Sequence, residues 1–379
     1  MIYFDNSATT KPYREVIESF VKVSEDYFGN PSSLHGLGAN AEKLLSQARK
    51  QIAGLLSVKE AEVFFTSGGT EGNNIAIKGS VLSRSGRGKH IITTEIEHAS
   101  VRAACEQLEA EFGFEVTFLK PDRDGKISPK DLKEALREDT ILVSVMHVNN
   151  EVGSIQPIED IGAILKEYPN ALFHVDHVQG AGKIPLNLKN SGIDLCTLSA
   201  HKFHGLKGTG IIFIKEGIRL FPLFSGGSQE SGIRSGTENV AGAVSVAKAL
   251  RMVTEDRNSN NRLKEVNSYL RESLDAINGI EINSPAEAVS HILNFSLPGI
   301  KSEVFVHALE ERNIYVSTTS ACSSRKKSVS KTVYSMFDSE ERAESTVRIS
   351  LSYQNTLQEA RAVVQAIAET VSKLKSVMR

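Results

Sequence analysis

From residue 63 onward the chain alternates between short apolar runs and stretches with helical periodicity. Apolar runs at 63–65, 90–93, 116–119, 141–148, 171–175, 195–198 and 210–214 predict seven strands. Residues 101–112, 129–136 and 158–165 lie between them and repeat their apolar positions every three to four residues, as amphipathic helices do. Apolar strands alternating with such helices predict an α/β fold, with a largely parallel sheet covered on both faces.

Before this region, Pro12 suits the first turn of a helix reaching about Tyr27. Residues 28–36 are loop chemistry, and a second helix runs through Leu44, Leu45, Ala48, Ile52 and Leu55. After a Gly/Ser-rich stretch at 224–228, a long helical region spans 240–276 with Leu250, Leu263, Val266, Leu270 and Leu274. The remainder predicts a smaller α/β unit, with strands at 292–295 and 347–351, a helix at 302–312 and a closing helix from Leu357. The expected division is a large domain at 12–255 and a small domain formed by 1–11 and 256–379. No internal repeat is present.

Composition narrows the class. The 379 residues are 40% hydrophobic and 24% charged, with a net charge of −2, so nothing global favours nucleic acid or an anionic membrane as partner. No apolar run approaches the roughly 18–20 residues of a membrane span, and the start has no basic, then apolar, leader pattern. Three separated cysteines argue for a reducing compartment. A soluble, cytoplasmic protein is expected.

The chemistry gathers at strand ends. The 195–198 run leads into Ser199, Ala200, His201, Lys202, Phe203 and His204. A lysine beside a buried strand, with imidazoles to relay its proton, suits a neutral nucleophilic amine that forms a Schiff base. Alone, it equally fits an exposed turn. The stretch 66–74, with Gly69 and Thr70 at its centre, is a glycine-rich turn opening a helix. Its free N–H groups and the helix dipole suit a phosphate, and an ordinary βα turn is the alternative. A dinucleotide-binding unit is excluded, because the glycine spacing is not G-x-G-x-x-G.

Asp176 ends the 171–175 run, where a carboxylate needs a cation or donors. A cationic ring nitrogen and a helix N-cap both answer that need. Gln179 follows as a donor, Asn150 ends another apolar run, and His98 can reach the same crevice outside the strand ends. Arg348 offers a bidentate clamp for a carboxylate, or else a surface ion pair. Cys105 and Cys196 read as core residues. Cys322 lies in a polar stretch beside Arg325, Lys326 and Lys327, which favour its thiolate. That basic run reads as solvated, with an acidic docking partner as the alternative. The His174/His177 and His201/His204 pairs lack zinc-site spacing, so no metal is expected.

Together these residues resemble the cysteine desulfurases of the NifS/IscS kind, relatives of the class V aminotransferases. The likeness runs nearly end to end, through 5–10, 29–35, 66–74, Glu97-His98, 149–153, 174–176, 199–202, 234–237 and 320–324. It implies a fold-type I pyridoxal-phosphate (PLP) transferase with a mostly parallel seven-stranded sheet and a smaller C-terminal α/β domain. Lys202 would hold the cofactor as a Schiff base, His98 would stack on its ring, and Asp176 would meet the pyridine nitrogen. Asn150 and Gln179 would address the phenolic side, with Asn150 also near substrate. Gly69, Thr70, Ser199 and His201 would hold the phosphate, and Thr237 that of the partner in a homodimer. Arg348 would bind the carboxylate of L-cysteine, and Cys322 would take its sulfur as a persulfide, leaving L-alanine. A sulfur-acceptor protein would follow, serving iron–sulfur clusters or tRNA thiolation, and selenocysteine lyase or another class V aminotransferase is the alternative. The likeness is incomplete at His177, Ala200, Ser231 and Ser352, none of which removes a catalytic group.

Overall fold

In the computed structural model, residues 1–255, 259–318 and 329–377 are described. The short strand β1 (Ile2–Tyr3) precedes helices α1 (Arg14–Asp26) and α2 (Gly36–Leu56). Alternation then follows through β2 (Val63–Thr66), α3 (Gly69–Ser83), β3 (His90–Thr94), α4 (Ala99–Phe112) and β4 (Glu115–Leu119). It continues through α5 (Pro129–Ala135), β5 (Thr140–Met146), α6 (Ile158–Leu165), β6 (Leu172–Asp176), β7 (Leu195–Ser199) and β8 (Gly210–Ile214). Helices α7 (Val240–Glu255) and α8 (Ser259–Asp275) lead to β9 (Glu281–Ile282), β10 (Ile292–Ser296), α9 (Ser302–Glu310), β11 (Ile314–Tyr315) and β12 (Ser317–Thr318). Beyond residue 328 come α10 (Lys331–Phe337), α11 (Glu340–Glu344), β13 (Thr346–Ser350) and α12 (Leu357–Val377).

The seven-stranded sheet runs in the order β2-β8-β7-β6-β5-β3-β4. Only β8 opposes its neighbours, pairing antiparallel with both β2 and β7. The inner strands are buried throughout, which is why they read as unbroken apolar runs. Their side chains still alternate between two cores. Ile92, Val143, Cys196 and Ile211 enter the core that continues under α7 and α8 to Phe295 and Phe305 of the smaller sheet. Ile91, Leu142, Leu195 and Ile212 enter the opposite core with Ile75, Leu108 and Phe114. Cys105 and Cys196 are both buried.

The smaller sheet, β12-β13-β10-β9, is antiparallel. The first residues of the chain join this end: β1 pairs with β11, and Asp5 bridges to Ser350. No helix among the described residues is long and apolar enough to cross a membrane.

The structure and the sequence reading differ at several elements. Helix α1 begins at Arg14 rather than Pro12, because Tyr13 is held extended (ψ 145°). Its N–H donates to the His204 carbonyl at 3.0 Å and its ring stacks on His204 at 4.3 Å, so a tertiary contact overrides the helical start. The helical region expected at 240–276 is described as α7 and α8, on either side of residues 256–258, which lie outside the described residues. Helices α10 and α11 are too short to announce themselves by periodicity.

Helix α3 sits directly on β7. A Cβ at Gly72 would stand 2.6 Å from Thr197 Cγ2, so only glycine allows this approach. Gly72→Ala should therefore cost about 1–3 kcal/mol by overpacking. The check is thermal unfolding of the purified variant, and an unchanged midpoint would contradict this packing.

Candidate active site

A cavity of roughly 640 Å³ opens at the carboxyl ends of the central strands. Strands β7, β6 and β5 are neighbours, so the residues that follow them converge by topology. Asp176 is the last residue of β6, Asn150 lies just past β5, and a 3-10 turn after β7 presents His201 and Lys202. His98, the N-cap of α4, follows β3. All five line the cavity, as do Gly69, Thr70, Gln179, Ser199 and Arg348. Thr237 stands apart in an exposed loop. Cys322 and the Arg325, Lys326, Lys327 run lie outside the described residues.

The turn before α3 is built for a close approach. Gly68 has φ +146°, a conformation open to glycine, and a Cβ on Gly69 would meet Val178 at 3.1 Å. The first turn of α3 then offers N–H groups that no intrahelical carbonyl can satisfy. Beside it, Ser199 Oγ is buried and unpartnered among the described residues. A buried hydroxyl without a partner is costly, and an anion oxygen here would complete it.

Lys202 Nζ donates to the carbonyls of Ser7 and Ala8, the latter at 2.8 Å. A neutral amine can make both bonds and keep its lone pair. Of the two flanking histidines, only His201 faces the cavity, and its pKa is pushed down to about 4 by burial and then by the Lys202 charge. His204 turns away and shares a hydrogen bond with the Lys11 carbonyl at 2.8 Å, so it is no relay for Lys202.

Asp176 Oδ2 accepts from Asn73 Nδ2 at 2.7 Å and Oδ1 from the Val178 N–H at 3.0 Å. It caps no helix. Arg348 is buried rather than at the surface: its Nη1 donates to the Asn150 carbonyl at 2.8 Å and its Nη2 to Asp5 Oδ1 at 3.1 Å. Its Nε is buried and unpartnered among the described residues. Burial pushes the Asp5 carboxyl up while Arg348 pulls it back. Gln179 Nε2 gives one N–H to the Ser7 carbonyl at 3.0 Å and keeps a second, while its Oε1 is buried and unpartnered among the described residues. Of the twin amides, Asn149 is used within the chain, its Oδ1 accepting from the Glu151 and Val152 N–H groups at 2.8 Å. Asn150 is thereby left to the cavity.

The other histidine pair is structural. His174 shares hydrogen bonds with Ser144 and Thr197, and burial pushes it down to about 3. His177 pairs with His147 at 2.8 Å. No metal-holding cluster exists among the described residues.

Sequence reasoning gave no role in this site to Asn73, Ser100, Glu97, Asp5 or the Ser7 and Ala8 carbonyls. Asp5, Asn73 and Glu97 lie in stretches that carry the family resemblance, and Asn73 is also polar beside the apolar Ile75, Ala76 and Ile77. The carbonyls leave no signal.

A mostly parallel sheet with a lysine, a carboxylate and an anion-binding turn at its strand ends defines a pyridoxal-phosphate enzyme. Residues 2–363 match the family model for class-V aminotransferases. A NifS/IcsS protein homolog of Lactobacillus delbrueckii subsp. bulgaricus is 48% identical, covering 97% of each chain. A putative cysteine desulfurase IscS 1 of Bacillus subtilis is 42% identical, over 98% of this chain and 99% of its own. Among solved structures, a NifS-like protein superposes with a TM-score of 0.92 at 37% identity, over 98% and 99% of the two chains. Another, titled SspA in complex with cysteine, gives 0.82 at 35% identity, over 93% and 99%. The chain belongs to the class-V aminotransferase family and, within it, to the NifS/IscS cysteine desulfurases. Its cofactor is PLP, and the orphaned Ser199 hydroxyl, the α3 turn and Asp176 fit that group.

Glu97 lies beneath this site. Its Oε1 accepts from Met146 N at 2.8 Å and Thr94 Oγ1 at 3.0 Å, while Oε2 is buried and unpartnered among the described residues. Burial, reinforced by the Asp176 charge and partly offset by the Met146 N–H, pushes its pKa from 4.5 up to about 8. As pH rises from 4.5 towards 8, the unfolded chain gives up this proton and the native one keeps it, so the native state loses stability across that window. Relative to Glu97→Gln, the wild type should lose a few kcal/mol between about pH 4.5 and 8 and stay level above. Urea midpoints of both proteins at several pH values would show it; parallel curves would mean Glu97 is ionised in the native state.

Proposed function

We propose that this chain is a PLP-dependent cysteine desulfurase that releases L-alanine from L-cysteine and carries the sulfur on Cys322. The observation that supports it best is the convergence of Lys202, Asp176, His98, Arg348 and the α3 turn on one cavity. In this reading the α3 turn, Thr70, Ser199 and His201 hold the cofactor phosphate, and Asp176 meets its ring nitrogen. His98 covers the ring face, Asn150 and Gln179 address its phenolic side, and Lys202 binds its aldehyde carbon. When bound, the cofactor supplies an electron sink for the substrate carbon.

The chain's own groups do the rest. Arg348 is held by Asp5 and the Asn150 carbonyl, which aims its guanidinium at the substrate carboxylate. Lys202, once clear of the Ser7 and Ala8 carbonyls, has a lone pair to take the Cα proton. The Cys322 thiolate attacks the substrate sulfur. An S–S bond forms, the C–S bond breaks, its electron pair stays on carbon, and a proton completes alanine. The persulfide is then handed to an acceptor protein.

We also read the chain as a cytoplasmic homodimer in which Thr237 reaches the partner's phosphate; exposure of Thr237, Phe221 and Phe224 supports a partner on that side. Residues 12–255 are read as the large domain, with 1–11 and 256–379 as the small one, and the pairing of β1 with β11 supports this division.

Wild-type protein with PLP is expected to be yellow, and Lys202→Ala to lose both that absorbance and alanine release, by roughly a hundredfold or more. An unchanged visible band in Lys202→Ala would refute the lysine's role. Cys322→Ala should keep the colour and form no protein persulfide from cysteine. A persulfide still formed would assign the sulfur to another thiol.

A further inference from the structure

Between the residue read as the cofactor's nitrogen partner and the one read as its ring cover runs a continuous hydrogen-bonded chain. Asn73 Nδ2 donates to Asp176 Oδ2 at 2.7 Å and to Ser100 Oγ at 2.9 Å. Ser100 Oγ lies 2.8 Å from His98 Nδ1, and the Ser100 main-chain N–H points at the same nitrogen at 3.2 Å. Asn73 is 1% exposed, Asp176 5% and Ser100 9%, so water is no substitute for these partners.

Chemistry fixes the direction of this chain. An ionised carboxylate only accepts, so the amide must turn its NH2 end to Asp176, and its two N–H bonds serve the carboxylate and Ser100 Oγ. Reversed, Asn73 Oδ1 would face Asp176 oxygen to oxygen. A serine hydroxyl that accepts from Asn73 has its own proton left to give, and His98 Nδ1 is within reach. The Ser100 N–H cannot accept, so Nδ1 must. The ring proton therefore sits on Nε2, which makes no hydrogen bond among the described residues.

We propose that Asn73 is a positioning residue that, through Ser100, sets the His98 proton on Nε2 and aims Asp176, so that both groups are held as one unit. This rests on the reading of Asp176 and His98 as cofactor-facing groups. Asn73 stands four residues after Gly69, on the same face of α3. One rigid helix thus presents the anion-binding turn at its start and the anchor of the opposite end of the site one turn later.

The test begins with cofactor-free protein labelled with 15N at histidine, where His98 is assigned by the signals lost in His98→Gln. Wild type should show an Nε2-protonated ring with Nδ1 accepting a hydrogen bond. Asn73→Leu, which removes both donors at similar volume, and Ser100→Ala should both move the Nδ1 resonance towards that of a free acceptor. The double variant should move it no further than the larger single change. An Nδ1 resonance unmoved by Asn73→Leu, or strictly additive shifts, would overturn the proposal. If Asn73→Leu does not fold, Asn73→Ser replaces it, and the same additivity decides. In PLP titrations followed by visible absorbance, Asn73→Leu should bind roughly tenfold or more weakly with its folded fraction unchanged, and equal affinity would also overturn the role. Wild type that takes up no PLP would instead defeat the functional reading, leaving the 15N result to stand by itself.

Discussion

A carboxylate buried at the end of a central strand has to be compensated, and much of this site follows from that need. Asp176 lies 5% exposed among apolar strands. Its compensation comes from Asn73 on α3 and from the Val178 N–H that follows it. Each partner constrains its own element: α3 must sit on the sheet, and Gly72 allows it to do so. A second ionised carboxylate close by would raise the cost, and Glu97 keeps its proton instead. The negative charge is left single, where a cationic ring nitrogen can meet it.

The amino-terminal segment contributes more than its length suggests. Tyr3 donates to the main chain at Asp5 and Thr9, fixing the loop between them. The carbonyls of Ser7 and Ala8 take Lys202, the Ser7 carbonyl also takes Gln179, and Asp5 takes Arg348. The buried Arg348 and the part-buried Asp5 form an ion pair, in which losing Asp5 would leave the arginine's charge poorly compensated. Site and segment are therefore mutually dependent.

Much of the fold was legible because it rests on periodicity. Seven apolar runs became seven strands, with ends shifted by a residue or two, since fully buried parallel strands carry a continuous signal. Short strands such as β11 and β12 carry almost none, and the late start of α1 depends on a tertiary stack that no local pattern records. The site divides the same way. Lys202, Asp176 and Asn150 stood out because polar groups at the ends of apolar runs demand partners, and Arg348 because a cation inside a strand does. Asp5, in the polar opening, and Ser100, in the first turn of α4, had no assigned task until folding set them against Arg348 and His98. The Ser7 and Ala8 carbonyls had no residue identity to read. Gln179 was found, but how its amide is turned depends on a carbonyl more than 170 residues away in sequence.

The pairing of β1 with β11, and of Asp5 with Ser350, joins residues more than 300 positions apart in the chain. The segment that carries the Ser7 and Ala8 carbonyls is thus tied on one side to β11 and β13 and on the other to the Lys202 turn, where Thr10 donates to the His201 carbonyl. The large sheet can form before β13 is made, and its reactive amine then meets a segment anchored on one side only. Assembly thereby imposes a schedule: the segment that holds the lysine gains its second anchorage late, after β11 and β13 have been synthesised.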